Sequence, residues 1–308
     1  MKKVINIIGI IFLILFILAK LIGLMFSKIE SVPKDYTQKV KTGGDIEAKY
    51  LKMGSHEVEY YESAAMMSFK KFEMCYPKDI KSMDKLPVVI FVNGTGVTGS
   101  KYTSLQKHMA SWGFITVSTE EEQAWSGFSA EMSVRYLDFI NTYKEDEKEN
   151  IFFNKIDMDR IGVTGHSQGG IGVINAITNQ EHSDIYKAAV ILSSTETNIS
   201  KALLWDSDSS LINTNTLMIA SSGQTDSKIS PLDSLKKTYN NITNDVSKVL
   251  AIRNDCDHGE MLYYADGYVT AWFMYYLQND DGAGNAFIGD NAEIKNNNLY
   301  QNVEINTK

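Results

Sequence analysis

The sequence predicts an α/β protein: a doubly wound, mostly parallel sheet with helices on both faces. Three observations carry that prediction. Short apolar, β-branched runs such as Leu86-Pro87-Val88-Val89-Ile90-Phe91-Val92 alternate along the chain with longer helical stretches, the signature of strand–helix–strand crossovers. The runs are continuously apolar, as strands buried on both faces must be. Lastly, the β-branched stretch Ile161-Gly162-Val163-Thr164 runs into Gly165-His166-Ser167-Gln168-Gly169-Gly170, and Ile171-Gly172-Val173-Ile174-Asn175-Ala176 continues as a small-residue helix.

Each element follows in order. Met67 to Tyr76 reads as a strand closed by Pro77-Lys78-Asp79, and Leu86 to Val92 as a central strand ending in Asn93-Gly94-Thr95-Gly96. A helix is expected from Tyr102 to Trp112, a strand from Phe114 to Ser118, a loop from Glu120 to Phe128 and a helix from Ser129 to about Lys144. After the Ser167 segment come strands at Ala188–Leu192 and Thr216–Ala220, a helix at Pro231–Tyr239, a strand at Lys248–Ile252 and one long aromatic helix from Met261 to Leu277. The Asn- and Gly-rich tail from Asp280 reads as a loosely packed surface wrap.

Length and composition set the organisation. With 308 residues, 44% of them hydrophobic, and only four prolines, the chain can bury one large core, and it contains no repeat or low-complexity tract. Val4 to Phe26 is an apolar run broken only by Asn6 and Lys20. At about 1.5 Å per residue it can span a hydrocarbon core of about 30 Å, with Lys20 snorkelling. Lys2 and Lys3 place the N-terminus inside and the remainder outside, and Gly23-Leu24-Met25-Phe26-Ser27 is a poor cleavage site. We therefore expect a transmembrane signal anchor over 1–27, a spacer leading into the domain over 28–60, and a single catalytic domain over 61–308 with its tail at 280–308. A secreted product of signal-peptide cleavage is the alternative. The whole chain carries −8, and removing 1–27 leaves 27 basic against 38 acidic residues, −11. No basic stripe is present, which argues against nucleic-acid binding, and the negative charge would be repelled by anionic lipid. Cys75 and Cys256 are too few for a disulfide framework and read as free buried thiols, a single bridge being the alternative.

A strand delivering Gly-x-Ser-x-Gly into a helix is the nucleophile elbow of an α/β-hydrolase. The turn is tight enough to strain the serine, and side chains at Gly165 or Gly169 would collide with the neighbouring element. Ser167 then stands clear at the sheet edge, in front of a helix N-terminus that favours developing negative charge. A serine hydroxyl needs a base held by an acid, in the chain order Ser, acid, His. Of five histidines, His56 and His108 precede the elbow, His182 follows it too soon, and His166 is expected to point away from the reacting atom. His258, in the loop after the last predicted strand, is the candidate base. Asp226, at the C-terminal end of the strand Thr216–Ala220, is the candidate acid; its rivals are Asp206, Asp208, Asp255 and Asp257. The oxyanion would be held by two backbone N–H groups, from Gln168 and from Thr95 in the loop Gly94-Thr95-Gly96. Trp125 and Phe128 are candidate walls of an acyl pocket, with ordinary loop packing as the alternative. Glu120-Glu121-Glu122 reads as a solvated run without a role.

Taken together, the elbow after Asp157-x-Asp159-Arg160, Ser111-Trp112-Gly113-Phe114, Asp257-His258-Gly259 and Tyr268-Val269-Thr270-Ala271-Trp272-Phe273 make the chain resemble one branch of the α/β-hydrolases. It holds cutinase-like polyester hydrolases, bacterial lipases and the related chlorophyllase and dienelactone-hydrolase families. The resemblance spans about residues 65–290 and implies cofactor-free hydrolysis of a carboxylic ester by Ser167, Asp226 and His258. In polyester hydrolases an aromatic usually follows the oxyanion-loop glycine, where this chain has Thr95; many have Met where it has Gln168, and their C-terminal cysteine pair is absent. A small or polar ester substrate therefore fits as well as a long-chain, lipid-like or polymeric one. Other readings are an acyltransferase using the same triad and a catalytically silent binding module. No His-x-x-x-His pattern suggests a metallohydrolase. The oligomeric state has no sequence signature.

Overall fold

The apolar runs become the middle of one sheet. The computed structural model describes residues 31–144 and 150–307, and among these nine strands pair in the order β1-β2-β4-β3-β5-β6-β7-β8-β9. They are β1 Val58–Ala64, β2 Lys71–Pro77, β3 Leu86–Val92, β4 Ile115–Thr119, β5 Ile156–His166, β6 Tyr186–Leu192, β7 Asn215–Ser221, β8 Lys248–Arg253 and β9 Tyr300–Asn306. From β4 to β8 every neighbouring pair is parallel, while β1, β2 and β9 join antiparallel at the edges. This is the α/β-hydrolase arrangement that the sequence predicts.

Strand periodicity splits the core in two. In β3, Val88, Ile90 and Val92 face one apolar layer and Val89 the other; in β6, Ala189 and Ile191 face the first and Ala188, Val190 and Leu192 the second. Helices Phe128–Thr142, Gln168–Ala176 and Leu232–Asn241 supply the first layer, helices Thr103–Ser111 and Asp266–Gln278 the second. With β4 on one side of β3 and β5 on the other, the crossovers diverge. A crevice therefore opens at the carboxyl ends of β3 and β5, where open α/β sheets bind ligands.

Three expectations change. The stretch expected as a spacer is, from residue 31 onward, part of the domain: Val32, Tyr36, Tyr50 and Leu51 are buried, and 58–64 forms the edge strand β1. Its anchors are distant in sequence: the Tyr36 hydroxyl donates to Asp266 at 2.5 Å, and buried Glu47 accepts from the Tyr300 hydroxyl at 2.9 Å and from Asn297 at 2.8 Å. The tail expected as a loose wrap buries Ala283, Phe287 and Ile294 and ends in β9, which pairs with β8. The expected helix Met261–Leu277 is two, Met261–Tyr264 and Asp266–Gln278, separated at Ala265 (φ −99°, ψ 4°). Asp266 at the new start is buried, where it meets Tyr36 and His108. Cys75 and Cys256 are free and buried, and burial pushes both thiols up to about 12.

Among the described residues no helix is long and apolar enough to cross a membrane. The apolar run 4–26 lies outside them.

Candidate active site

The elbow forms because one residue near the end of β5, Gly165, and one in the first turn of the following helix, Gly169, leave no room for a side chain. A Cβ on Gly165 would sit 2.3 Å from the carbonyl oxygen of Gly169, and one on Gly169 2.2 Å from that of Val92. Held between them, Ser167 takes φ 59°, ψ −122°, a conformation costing about 1–3 kcal/mol for a residue with a Cβ. Its N–H donates to the carbonyl of Leu192 at 3.0 Å, fixing the turn to the end of β6.

The structure brings Ser167, His258 and Asp226 together from three separate loops. The Ser167 hydroxyl lies 2.9 Å from Nε2 of His258, and Nδ1 of His258 lies 2.7 Å from Oδ1 of Asp226. Asp226 is fully buried, and its Oδ2 accepts from the Ser193 hydroxyl at 2.7 Å and from the Ser221 N–H at 2.5 Å. Burial pushes this carboxyl up, but the bonds from His258, Ser193 and Ser221 outweigh it and hold the group below its usual range. The carboxylate is thus ionised and aimed, and the Nδ1–H it accepts leaves Nε2 of a neutral imidazole as the acceptor facing Ser167.

Two further side chains meet His258. Asp257 accepts from the N–H of His258 and of Asp226, both at 2.8 Å, and from that of Thr225 at 3.0 Å. The bond from the Asp226 backbone leads the interactions that lower this carboxyl to about 2. Gly223 makes room for it, since a Cβ there would lie 2.4 Å from Oδ1 of Asp257. His166 reaches the base's loop: its Nε2 lies 2.7 Å from the carbonyl oxygen of His258, and the two rings are 4.5 Å apart. Sequence spacing could not reveal Ser193, Asp257 or His166 in these positions. The one local signal is the polar Ser193-Ser194-Thr195 directly after the apolar β6.

The two expected oxyanion donors sit on either side of this edge. Gln168 opens its helix, so its N–H has no intrahelical acceptor. In the loop after β3, the N–H of Gly94 donates to the Tyr102 hydroxyl, that of Gly96 to the Glu122 carbonyl and that of Val97 to the Gly94 carbonyl. The N–H of exposed Thr95 is engaged by no described group. The Glu120–Glu122 run, expected to be merely solvated, steadies this loop: the carbonyls of Glu121 and Glu122 accept from Asn93 Nδ2 and Gly96, and the Glu120 carboxylate from the N–H of Ser100.

Gln168 also works through its side chain, which is fully buried: Oε1 accepts from the Ala124 N–H at 2.9 Å, pinning the loop that carries Trp125 and Phe128. Trp125 is half-buried against the core, its carbonyl accepting from Asn175. Phe128 is 45% exposed, with the Phe69 ring 5.8 Å away. Of the rival acids, Asp206 and Asp255 are exposed and Asp208 caps its own turn through the N–H of Ser210. Among the described residues no cluster of three or more His, Cys, Asp or Glu is arranged to hold a metal ion.

A family model described as PET hydrolase-like matches residues 36–304. No curated protein matches the chain.

Proposed function

The chain belongs to the PET hydrolase-like family of ester-cleaving α/β-hydrolases, and from that premise we propose that it cleaves carboxylic esters through an acyl-enzyme on Ser167. One observation carries the reading: the unbroken line of hydrogen bonds from the Ser167 hydroxyl through His258 to buried Asp226. As Oγ attacks the ester carbonyl carbon, its proton passes to Nε2 of His258. The negative charge that forms on the carbonyl oxygen is met by the N–H groups of Thr95 and Gln168. Collapse expels the alkoxide, which takes the proton from His258 and leaves as an alcohol. Water then repeats the sequence: His258 removes its proton, the hydroxide oxygen bonds to the acyl carbon, and Ser167 leaves with that proton as the carboxylic acid departs. Asp226 keeps its charge throughout and stabilises the imidazolium. No step requires a cofactor.

Trp125 and Phe128 are assigned to the walls of the acyl site, on a loop that Gln168 ties to the elbow. A fluorophosphonate should form one adduct on the intact chain, mapping to Ser167 by peptide mass spectrometry. An adduct elsewhere, or none, would remove the proposal. Turnover of p-nitrophenyl esters of graded chain length would then define the acyl preference.

We also propose that the apolar run 4–26 anchors the protein in the cell membrane with the catalytic domain outside. The chain should then fractionate with membranes at full length; a soluble secreted form starting near residue 28 would show a cleaved signal peptide instead.

A further inference from the structure

His258 is a base carried on a loop, and the residue after it, Gly259, has open space where a Cβ would be. Packing at that point therefore does little to set the imidazole's reach toward Ser167. What does set it is a pair of hydrogen bonds to the two peptide groups flanking the His258 Cα. The N–H on one side donates to Asp257, which also accepts from the N–H of Asp226, so the base is tied to the loop of its acid. The carbonyl on the other side accepts from Nε2 of His166, the residue next to Ser167. That bond joins the nucleophile's strand to the backbone of the base's loop.

We propose that His166 is a positioning residue for His258: its Nε2–H holds the His258 carbonyl and thereby sets the distance between the base and the Ser167 hydroxyl. This rests on the reading of Ser167 and His258 as nucleophile and base. A carbonyl can only accept, so the His166 Nε2 must carry a proton. The groups facing His166 make the neutral tautomer the stable one. It is 6% exposed, its ring lies 4.5 Å from that of His258, and Asp226 and Asp266 are the nearby carboxylates, the latter lining the same small apolar cavity. Burial depresses its basicity first, the positive charge of His258 second, to about 3. The consequence is functional: as His258 gains and loses a proton in each half-reaction, a neutral neighbour keeps its grip without repelling the imidazolium. A merely structural histidine would not need to be a donor at that atom.

Glutamine and methionine separate these roles, since they are similar in length and only glutamine carries a donor near the position of Nε2. On the full chain, H166Q should keep kcat and the rate of inactivation by diisopropyl fluorophosphate within about threefold of wild type. H166M should lower both by about 10–100-fold, the scale of a misplacement of about 1 Å, with KM nearly unchanged. H166F serves as a second donor-less variant should H166M fold poorly by near-UV circular dichroism. Wild-type inactivation in either folded donor-less variant overturns the proposal, as does an H166Q loss equal to theirs. If the wild-type chain itself resists the reagent, the proposed function falls rather than the role of His166.

Discussion

Replacing Ser167 with alanine should lower ester turnover by about 10⁴–10⁶-fold, the range seen when a serine hydrolase loses its nucleophile. What remains would come from binding and from the backbone donors of Thr95 and Gln168, which the substitution does not touch. The fold should survive. The positive φ of 59° at this position is imposed by the clearances around Gly165 and Gly169 rather than by the hydroxyl. Alanine meets the same strain as serine there, so stability should change by less than about 1 kcal/mol. Steady-state kinetics on a p-nitrophenyl ester, paired with thermal unfolding, checks both halves. Turnover within a few-fold of wild type would show that the hydroxyl does not act.

Asp226→Asn should lower turnover by about 10⁴-fold, through the tautomer of the base. Asp226 accepts three hydrogen bonds, from His258, Ser193 and Ser221, and asparagine has only one oxygen to offer. If the amide nitrogen turns toward His258, Nδ1 must become the acceptor and the proton moves to Nε2, which then cannot receive the proton of Ser167. If it turns the other way, it meets the Ser193 hydroxyl and the Ser221 N–H instead. The second choice sets the amide nitrogen against the Ser221 N–H, donor against donor in a fully buried site, at a cost of about 1–3 kcal/mol, so the first is favoured. Replacing a buried charged acceptor of three hydrogen bonds with a neutral one should make the variant measurably less stable as well, which a loosely held loop carboxylate would not predict. Asn at exposed Asp206, Asp208 or Asp255 should change turnover little. Asp257→Asn should fall between, because its remaining oxygen can still accept from Thr225, Asp226 and His258. Should any of these four match the loss of Ser167→Ala while Asp226→Asn stays active, the acid lies elsewhere.

Much of this was legible without coordinates, and for a physical reason. A strand buried on both faces must be continuously apolar, so β3, β6 and β7 announce themselves in any window of seven residues. The elbow is partly as local: Gly165 answers to a clash with Gly169 four residues on, although Gly169 answers to Val92 in the neighbouring strand. The candidate acid and base followed from chain order, because Asp226 and His258 each lie just beyond a recognisable strand. What the tertiary structure alone decided are the interactions whose partners lie far apart in the chain. Residues 31–57 look like a polar spacer because four buried apolar side chains among many charges make no periodic pattern; they join the domain through Asp266 and Tyr300, 230 and 253 residues distant. The tail became an edge strand because β8 presented an open row of backbone donors and acceptors, which no property of residues 300–306 announces. The direction of His166 was decided the same way. Strand alternation puts its side chain on the face opposite Gly165's helix, but only the path of the loop after β8 brings the His258 carbonyl within 2.7 Å of it.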